Sequence, residues 1–435
     1  MQRKQQFVVK AIGMVSLVAG LMLGAASMAA GQTETVIHTF QSNGKKDGAG
    51  PSTGLVADSK GSLYGATGGG GQYGQGTVYK LTADGDAWKE TILYSFAGGS
   101  EGSPSGSLLL DNRSHKIYGT TSFGGANGYG SVYELTPGNP WTLSVLYSFR
   151  GNPDGIYPVG GVIADESGAL YGVDSGGGRK TDYGAIFRLA PPTEAGGAWT
   201  EKIIYIFTGG TDGAFPNGGL IFDSDHSLYG TTINGTQQAP SSGSAFKLSP
   251  PSGPGSWTLT TLYTFTGGTD GGAPSAGLIF DSSGALYGTT SFGGDPACAQ
   301  GESCGTVFKL TLPAGGSGAW KESVLYAFTG GSDGAAPEAS LILDSTGALY
   351  STTIGGGEFS STCGLGAGAG CGTVFKVTPP SGGAGPWTES VLYAFQGGGD
   401  GANPFTPVFM LGSNLYGTTV YGGAPNGGTV FEVIP

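Results

Sequence analysis

The stretch that decides the fold is Gly277–Gly294, GLIFDSSGALYGTTSFGG, because variants of it recur along the chain. Its Leu-Tyr-Gly core, or a close variant, places a tyrosine at seven positions: Tyr64, Tyr118, Tyr171, Tyr229, Tyr287, Tyr350 and Tyr416. Successive tyrosines are 53 to 66 residues apart. Self-similarity at such a period is typical of repeat proteins, in which each repeat is one supersecondary unit.

Each repeat contains four short runs that suit β-strands. Around Tyr287 the runs are 278–280, 285–291, 306–310 and 320–328, and they are separated by segments rich in Gly, Pro, Ser and Asp. None has helical spacing, and β-branched and aromatic residues dominate them. Four strands in a unit of roughly 40–60 residues are typical of a propeller blade. We therefore predict an all-β fold, a seven-bladed β-propeller of four-stranded blades.

The order of the runs predicts how the ring closes. The segment Thr33–Phe40 aligns with Lys89–Phe96, which is a fourth run, whereas the chain ends on a third run at 429–433. The N-terminal strand can therefore complete the last blade and remove two exposed sheet edges. The alternative, an open β-solenoid, has no need of this offset.

Residues 1–30 have the pattern of a secretory signal peptide. Arg3, Lys4 and Lys10 precede the apolar run 11–26, and small residues follow at 27–29. The apolar run is short for a membrane span. We predict that 31–435 form one propeller domain in a secreted protein, located outside the cell, in the periplasm or at the cell surface. The mature chain should have no membrane span.

The charge balance excludes some partners. The chain carries 19 Lys and Arg against 31 Asp and Glu, a net charge of −12. Such a chain repels a phosphate backbone and an anionic membrane surface. We therefore expect no nucleic-acid partner, and a monomer is the default expectation.

The four cysteines predict two local disulfides. Cys298 and Cys304 fall in one Gly-rich loop, and Cys363 and Cys371 fall in another. These loops are longer than the equivalent loops of the other repeats. Local pairing in an exported protein is the simplest interpretation. A zinc site is the alternative, but histidines and further thiols are missing nearby.

One acidic residue recurs after each fourth run, in the signature Phe-x-Gly-Gly-x-Asp-Gly. The seven residues are Asp47, Glu101, Asp154, Asp212, Asp270, Asp333 and Asp400. In a propeller they should share one face with the Gly-rich loops. They are candidate ligand-binding residues, and Ca²⁺ is the cation that such carboxylate and carbonyl oxygens would bind. The alternative is turn chemistry, in which Asp-Gly is chosen for its backbone geometry.

No catalytic set or metal site can be assembled from the sequence. The three histidines, His38, His115 and His226, fall in different repeats. Two carboxylates suffice for glycoside hydrolysis, so the scarcity of histidine does not exclude an enzyme. Its active site would have to lie in a repeat whose sequence departs from the others. The third repeat departs most from the repeat pattern, because it has Asp174 in place of Thr and has Arg179, Lys180 and Asp182 in its loop. Loop variation is the simpler interpretation.

All six tryptophans begin fourth runs, at Trp88, Trp141, Trp199, Trp257, Trp320 and Trp387. An exposed series could stack on sugar rings. Packing between neighbouring blades is the alternative, and we favour it because large aromatic side chains are usually buried.

The repeat resembles a known family. Gly284–Thr290 (GALYGTT), Gly305–Leu310 (GTVFKL) and Ser323–Phe328 (SVLYAF) are similar to the GloVer tandem repeat of exported bacterial proteins with differing C-terminal anchors. The resemblance implies a secreted or cell-surface location and no known activity. This chain ends at Pro435 without such an anchor, which does not support tethering. A fainter similarity to kelch propellers supports the fold alone.

Strong repetition favours a binding protein over an enzyme, since an enzyme concentrates unique polar residues in one cleft. We expect a non-enzymatic protein that binds an extracellular partner, such as a glycan or cell-surface polymer, without a cofactor. An extracellular polysaccharide hydrolase or lyase is the alternative.

Overall fold

The computed structural model describes residues 33–41, 47–152, 154–177, 182–194, 196–235, 242–253, 255–298, 304–313, 318–365 and 369–435. The described residues form 30 β-strands and one three-residue 3₁₀ turn, Gly398–Asp400, and contain no α-helix. Within these ranges, no helix is long and apolar enough to cross a membrane. The predicted leader, 1–30, lies outside the described residues.

The strands form seven antiparallel sheets, which are the predicted blades. Blade 1 contains β2 (Gly48–Pro51), β3 (Val56–Ala57), β4 (Leu63–Gly70), β5 (Thr77–Asp84) and β6 (Ala87–Ser95). Blade 2 contains β7 (Ser103–Leu110), β8 (Ile117–Phe123), β9 (Ser131–Thr136) and β10 (Thr142–Ser148). Blade 3 contains β11 (Ile156–Ala164), β12 (Leu170–Gly176), β13 (Ala185–Ala190) and β14 (Thr200–Ile206).

The remaining blades repeat this plan. Blade 4 contains β15 (Ala214–Pro216), β16 (Ile221–Phe222), β17 (Leu228–Asn234), β18 (Ser244–Ser249) and β19 (Thr258–Thr264). Blade 5 contains β20 (Ile279–Phe280), β21 (Leu286–Thr290), β22 (Thr306–Thr311) and β23 (Lys321–Ala327). Blade 6 contains β24 (Ile342–Leu343), β25 (Leu349–Thr353), β26 (Thr373–Thr378) and β27 (Thr388–Ala394). Blade 7 contains β28 (Phe409–Leu411), β29 (Asn414–Thr419), β30 (Thr429–Ile434) and β1 (Thr33–Thr39).

The N-terminal strand closes the ring, as the offset of the runs predicts. The last sheet has the order β1-β30-β29-β28, and β1 pairs antiparallel with β30 from Thr33↔Ile434 to Thr39↔Thr429. Blades 1 and 4 divide their inner strand into two pieces that both pair with the second strand. The prediction of seven four-stranded blades closed by the first strand is confirmed.

The ring axis is marked by a cavity of about 220 Å³, which is lined by residues of all seven blades that lie in their innermost strands or beside them. Its lining is mainly small and polar, and includes Ser107, Asn217 and Ser275. Glu338 is the charged side chain in this lining.

The glycine of Leu-Tyr-Gly is required by an aromatic ring on the third strand. A Cβ added to Gly288 would lie 2.6 Å from the ring of Phe308, and one added to Gly65 would lie 2.6 Å from the ring of Tyr79. The third-strand aromatics are completely buried, so neither side of this contact has room to move. Blade 6 has Ser351 at this position, and its hydroxyl donates to the carbonyls of Ala339 and Ser340.

We expect Gly288→Val to destabilise the protein by about 1–3 kcal/mol, the usual cost of overfilling a core. Gly288→Ser should cost less, because Ser351 shows that the repeat can accommodate a hydroxyl here. Equilibrium denaturation of both variants measures the difference. Equal stability of wild type and Gly288→Val would contradict this account of the motif.

Neighbouring blades are joined by aromatic layers. Trp88 contacts Tyr416 of the preceding blade with ring centroids 5.8 Å apart, and Trp257 contacts Tyr171 in the same way at 6.2 Å. The other tryptophans are half-buried, and pack against the interior clusters. The tryptophan series therefore packs between blades and does not form an exposed stacking surface.

The hairpin turn between the first two strands is closed by an aspartate. Asp281 accepts hydrogen bonds from the amides of Ser283 (2.8 Å) and Ala285 (3.0 Å) and from the hydroxyl of Tyr287 (2.9 Å). Burial alone would raise its pKa, but these hydrogen bonds outweigh it and lower the pKa of Asp281 to about 2. Lys309 lies 3.5 Å from the carboxylate. The equivalent aspartates Asp58, Asp165, Asp223 and Asp344 accept from the same tyrosine of their own repeats, so this aspartate series is structural.

Both predicted disulfides are present. Cys298 pairs with Cys304 and Cys363 pairs with Cys371. Each bridge ties one long loop to the start of the third strand of its own blade. A bridge that closes so short a loop stabilises the fold by about 2–3 kcal/mol on the chain-entropy model.

Candidate functional site: the loop face

Two kinds of loop meet on one face of the ring, which we call the loop face. They are the Gly-rich loops between second and third strands and the turns that carry the seven acidic residues. The amide of Gly294 donates to the carbonyl of Gly268 (2.9 Å), and Gly357 donates to Gly331 in the same way (2.9 Å). The predicted proximity of the acidic turns and the Gly-rich loops is therefore present.

Each acidic residue of the signature closes its own turn. Asp270 accepts hydrogen bonds from the hydroxyl of Tyr263 (3.0 Å), from the amide of Thr266 (2.9 Å) and from the Thr266 hydroxyl. Tyrosines of the fourth strand make the same contact, at 2.8–3.1 Å, with Glu101, Asp154, Asp212, Asp333 and Asp400. The structure holds these carboxylates at separate blade junctions and does not gather them into one pocket.

The carboxylates of these turns differ in how many hydrogen bonds they accept. A carboxylate offers about four acceptor positions. Among the described residues, Asp212 receives four hydrogen bonds, and Asp154 is reached by three donors, of which the Tyr147 hydroxyl contacts both of its oxygens. Asp400 receives two from the described residues, from Tyr393 and from the amide of Gln396, and both reach Oδ2. Asp400 therefore keeps more capacity for an external partner than Asp154 or Asp212 does.

The first blade junction departs from the tyrosine pattern. His38 occupies the tyrosine position, and its Nε2 lies 3.7 Å from Oδ1 of Asp47. Asp47 instead accepts hydrogen bonds from the amides of Gln41 (2.8 Å) and Gly48 (2.7 Å).

A second set of carboxyl groups, which the sequence analysis missed, faces the first. It consists of glutamates two residues after the fourth-strand tryptophan or at the equivalent N-terminal position: Glu34, Glu90, Glu201, Glu322 and Glu389. Each interacts with the acidic residue of an adjacent turn, namely Asp400, Asp47, Asp154, Asp270 and Asp333 respectively. The other two blades have Leu143 and Leu259 here. The recurring Trp-x-Glu was a visible signal for this set.

These glutamates are held in an unfavourable environment for charge. Oε1 of each one is buried and has no hydrogen-bond partner among the described residues. Burial, with the paired aspartate as a further cause, raises the pKa to about 7 in Glu34, Glu90 and Glu322 and to about 8 in Glu201 and Glu389. Five of the seven junctions therefore contain a pair of carboxyl groups in which ionisation of both groups is unfavourable.

Blade 3 buries one more carboxyl group. In the other blades a second-strand Thr bonds a third-strand Thr or Ser, as Thr290 does with Thr306 at 2.9 Å. Blade 3 has Asp174 opposite Ala185. Asp174 is fully buried, and neither of its oxygens finds a partner in the described part of the chain. Burial, followed by the charges of Glu201 and Asp154, raises its pKa well above the usual range.

Asp174 therefore lies below the surface and does not face a ligand on the loop face. Of its neighbours in the third-repeat loop, Asp182 is exposed. Arg179 and Lys180 lie outside the described residues.

Exposed aromatic side chains gather on the loop face. Phe123 is 62% exposed, Tyr73 54% and Phe359 50%. Tyr129, Tyr157 and Phe292 are also among the exposed large hydrophobic residues. Sequence reasoning concentrated on Trp and Asp and missed them, although an aromatic residue recurs in six of the seven Gly-rich loops.

We call the aromatic residues of blades 2 to 4 on this face the aromatic sector. It consists of the exposed Phe123, Tyr129 and Tyr157 and the half-buried Tyr183 and Phe215. Phe123 meets Tyr157 edge to face with ring centroids 5.1 Å apart, and Tyr183 meets Phe215 at 6.0 Å. Each pair joins the Gly-rich loop of one blade to the first strand of the next.

Two members of the aromatic sector have a left-handed backbone. Tyr157 has φ 57° and Phe215 has φ 58°, whereas Gly50 occupies the same repeat position in blade 1. Bulky residues rarely adopt this conformation, which costs of order 1–3 kcal/mol. Their amides donate to the carbonyls of Tyr129 (3.2 Å) and Tyr183 (2.8 Å). The turn therefore fixes both rings on the loop face at a cost in backbone strain.

Comparison with known proteins identifies the repeat. A family model described as the Gloeobacter/Verrucomicrobia repeat matches residues 25–200 and 116–365. The chain belongs to this family. The match confirms the resemblance drawn from the Leu-Tyr-Gly and Gly-Thr-Val-Phe-Lys motifs. The comparison with curated proteins found no match.

Solved structures with similar folds carry different names. A putative 6-phosphogluconolactonase from Bacteroides uniformis is 14% identical with a TM-score of 0.47, and the match covers 78% of this chain and 84% of that chain. A putative glucose dehydrogenase from Thermus thermophilus is 14% identical with a TM-score of 0.46, covering 93% and 100%. PorZ of Porphyromonas gingivalis is 12% identical with a TM-score of 0.47, covering 88% and 46%. These similarities are too low to assign a role to this Gloeobacter/Verrucomicrobia repeat protein.

Proposed function

We propose that this protein is a secreted, non-enzymatic binding protein that holds extracellular polymer, with glycans as the first candidate, on its loop face. The observation that carries the proposal is the aromatic sector. Three of its five aromatic side chains, Phe123, Tyr129 and Tyr157, are exposed, and next to glycine-rich backbone they offer flat apolar surfaces together with amide groups. Pyranose rings present apolar C–H faces and a rim of hydroxyls, so they suit such a surface.

The acidic turns have a secondary part in this proposal. A sugar hydroxyl can donate to a carboxylate that has spare acceptor capacity, and Asp400 has such capacity at Oδ1. Repetition around the ring would let a polymer engage several weak sites at once, which can raise avidity ~10²–10⁴-fold. Free monosaccharides should bind poorly.

Retention of the purified protein on insoluble polysaccharides, followed by a glycan array, tests the proposal. The variant Phe123→Asn/Tyr157→Gly/Phe215→Gly removes three rings and replaces them with residues that other repeats hold at the same positions. We expect its retention to fall at least ten-fold, while its stability is kept or improved because glycine relieves the left-handed backbone.

Val324→Thr is the matched control, since it removes an exposed apolar residue on an outer strand and installs the residue of blade 4. Its retention should equal that of the wild type. Asp400→Asn separates the carboxylate contribution, which should be several-fold. The proposal fails if the wild type binds no polysaccharide, or if the triple variant is folded and binds as the wild type does.

A further inference from the structure

The junction between blade 7 and blade 1 holds three side chains that no other junction combines. His38 lies on β1, Glu90 lies on β6, and Asp47 lies on the turn that connects the two blades. The other six blades have tyrosine where blade 7 has His38. The tyrosine hydroxyl reaches its acidic partner at 2.8–3.1 Å, whereas the imidazole does not form this contact.

The three groups converge without bonding one another. Nε2 of His38 lies 3.7 Å from Oδ1 of Asp47 and 3.7 Å from Oε1 of Glu90. One ligand atom from each residue lies within 4.8 Å of both others. Nε2 of His38 and Oε1 of Glu90 are both buried, and neither has a hydrogen-bond partner among the described residues. Two polar atoms are thus withdrawn from water and aimed at a shared point.

The spacing and the donor types match a small divalent ion. A tetrahedral ion with bonds of about 2.1 Å keeps its ligand atoms roughly 3.4 Å apart. Two of the three separations, those from Nε2 of His38, are 3.7 Å and reach that value with movements of a few tenths of an ångström, and the ligand atoms of Asp47 and Glu90 lie within 4.8 Å of each other. Imidazole with two carboxylates is a ligand set that suits Zn²⁺ and other first-row divalent ions, whereas Ca²⁺ prefers oxygen ligands alone.

The remaining contacts already orient the ligands. Asp47 is fixed by the amides of Gln41 and Gly48, and the His38 ring packs edge to face on Phe40 at 4.7 Å. The side chains of His38, Asp47 and Glu90 are 15–18% exposed, so water can supply a fourth ligand.

We propose that His38, Asp47 and Glu90 form a binding site for a divalent transition-metal ion of the Zn²⁺ type, which ties the closing strand to the first blade. The ion would connect β1, the strand that closes the ring, to β6 across the junction between the last blade and the first. The metal site lies at the junction of blades 7 and 1, outside the aromatic sector of blades 2 to 4 that carries the proposed glycan function.

Titration calorimetry with ZnCl₂ on chelator-treated, desalted protein tests the site. We expect one ion per chain, a rise in Tm of several degrees with Zn²⁺, and visible Co²⁺ absorption of the four-coordinate type. His38→Tyr installs the residue of the other six blades and should fold normally while losing all three signals. Glu90→Leu, which copies Leu143 and Leu259, should weaken binding at least ten-fold and gives a second variant should His38→Tyr not fold.

His115→Gln/His226→Gln is the control for adventitious binding, since it removes the other two histidines of the chain and should bind as the wild type does. The proposal is overturned by the absence of stoichiometric binding. It is equally overturned if folded His38→Tyr, or folded Glu90→Leu, binds Zn²⁺ as tightly as the wild type.

Discussion

A chain that begins at residue 41 is expected to lose its cooperative fold, whereas a chain that begins at residue 31 is expected to keep it. The segment removed supplies the outer strand of blade 7 and the side chain of Phe40. β1 pairs with β30 along its whole length. Phe40 is completely buried against Leu55, Leu63 and Tyr79, with its ring 5.0 Å from that of Tyr79.

Two losses add in this truncation. Removing a buried Phe side chain typically costs 3–5 kcal/mol. Removal of the β1–β30 pairing adds to this cost, and the exposed edge of β30 then becomes a site for aggregation. Domains are stable by only about 5–15 kcal/mol, so the sum consumes most or all of the stability.

Circular dichroism melting and size-exclusion chromatography of the two chains measure the effect, and Phe40→Ala isolates the side-chain part. If the shorter chain melts within a few degrees of the longer one and stays monodisperse, the closing strand is dispensable and the energetic role assigned to it here is wrong.

Replacing Glu201, Glu322 and Glu389 together with leucine is expected to stabilise the protein, and more so at pH 8.5 than at pH 5. Blades 2 and 4 supply the precedent, because Leu143 and Leu259 occupy this position and pack against the interior clusters. The substitution removes three buried oxygens that have no hydrogen-bond partner among the described residues. It also removes the repulsion between each glutamate and its paired aspartate.

The pH dependence follows from the direction of the shifts. The folded-state pKa of Glu322 is raised to about 7 and those of Glu201 and Glu389 to about 8, whereas unfolded Glu titrates near 4.3. The folded state therefore binds more protons between these values, and the stability of the wild type falls as pH rises from about 4.5 to about 8. Partial exposure to water reduces the effect to about 1 kcal/mol per site.

Urea denaturation at pH 5 and pH 8.5 measures the difference. The triple variant should show a smaller loss of stability between the two pH values, by about 3 kcal/mol in total. Lys202→Ala, on the same strand as Glu201, is a control that should leave the pH dependence unchanged. A triple variant with the pH dependence of the wild type would mean that the pKa values of these glutamates are not raised in the folded state.

The architecture could be predicted from the sequence because each repeat contains the same pattern of four β-type runs. Seven copies of Leu-Tyr-Gly fix the count, and the displaced N-terminal run fixes the closure. The tryptophans could be assigned to blade junctions because packing is the usual role of a recurrent large aromatic residue. The disulfides could be predicted because each of two unusually long loops holds two cysteines.

The side-chain network of the candidate site was beyond sequence reasoning, because it depends on contacts between repeats. Nothing local to Glu322 indicates that it faces Asp270 of the preceding turn. The left-handed backbone of Tyr157 was also unexpected, since a residue before proline normally adopts an extended conformation. The unusual geometry comes from the neighbouring loop, whose carbonyl at Tyr129 holds the Tyr157 amide.

The pairing of β1 with β30 also sets the order of events during synthesis. Thr33 is made among the first residues of the ring, and its partner Ile434 is made almost last. The first strand must therefore wait, unpaired, while the ribosome produces the other blades, and the final step joins segments about as far apart in sequence as the ring allows. Contacts of such long range form slowly. Two chains finishing side by side could exchange these strands, so dilute, well-separated synthesis should favour the closed single-chain ring over interlocked pairs.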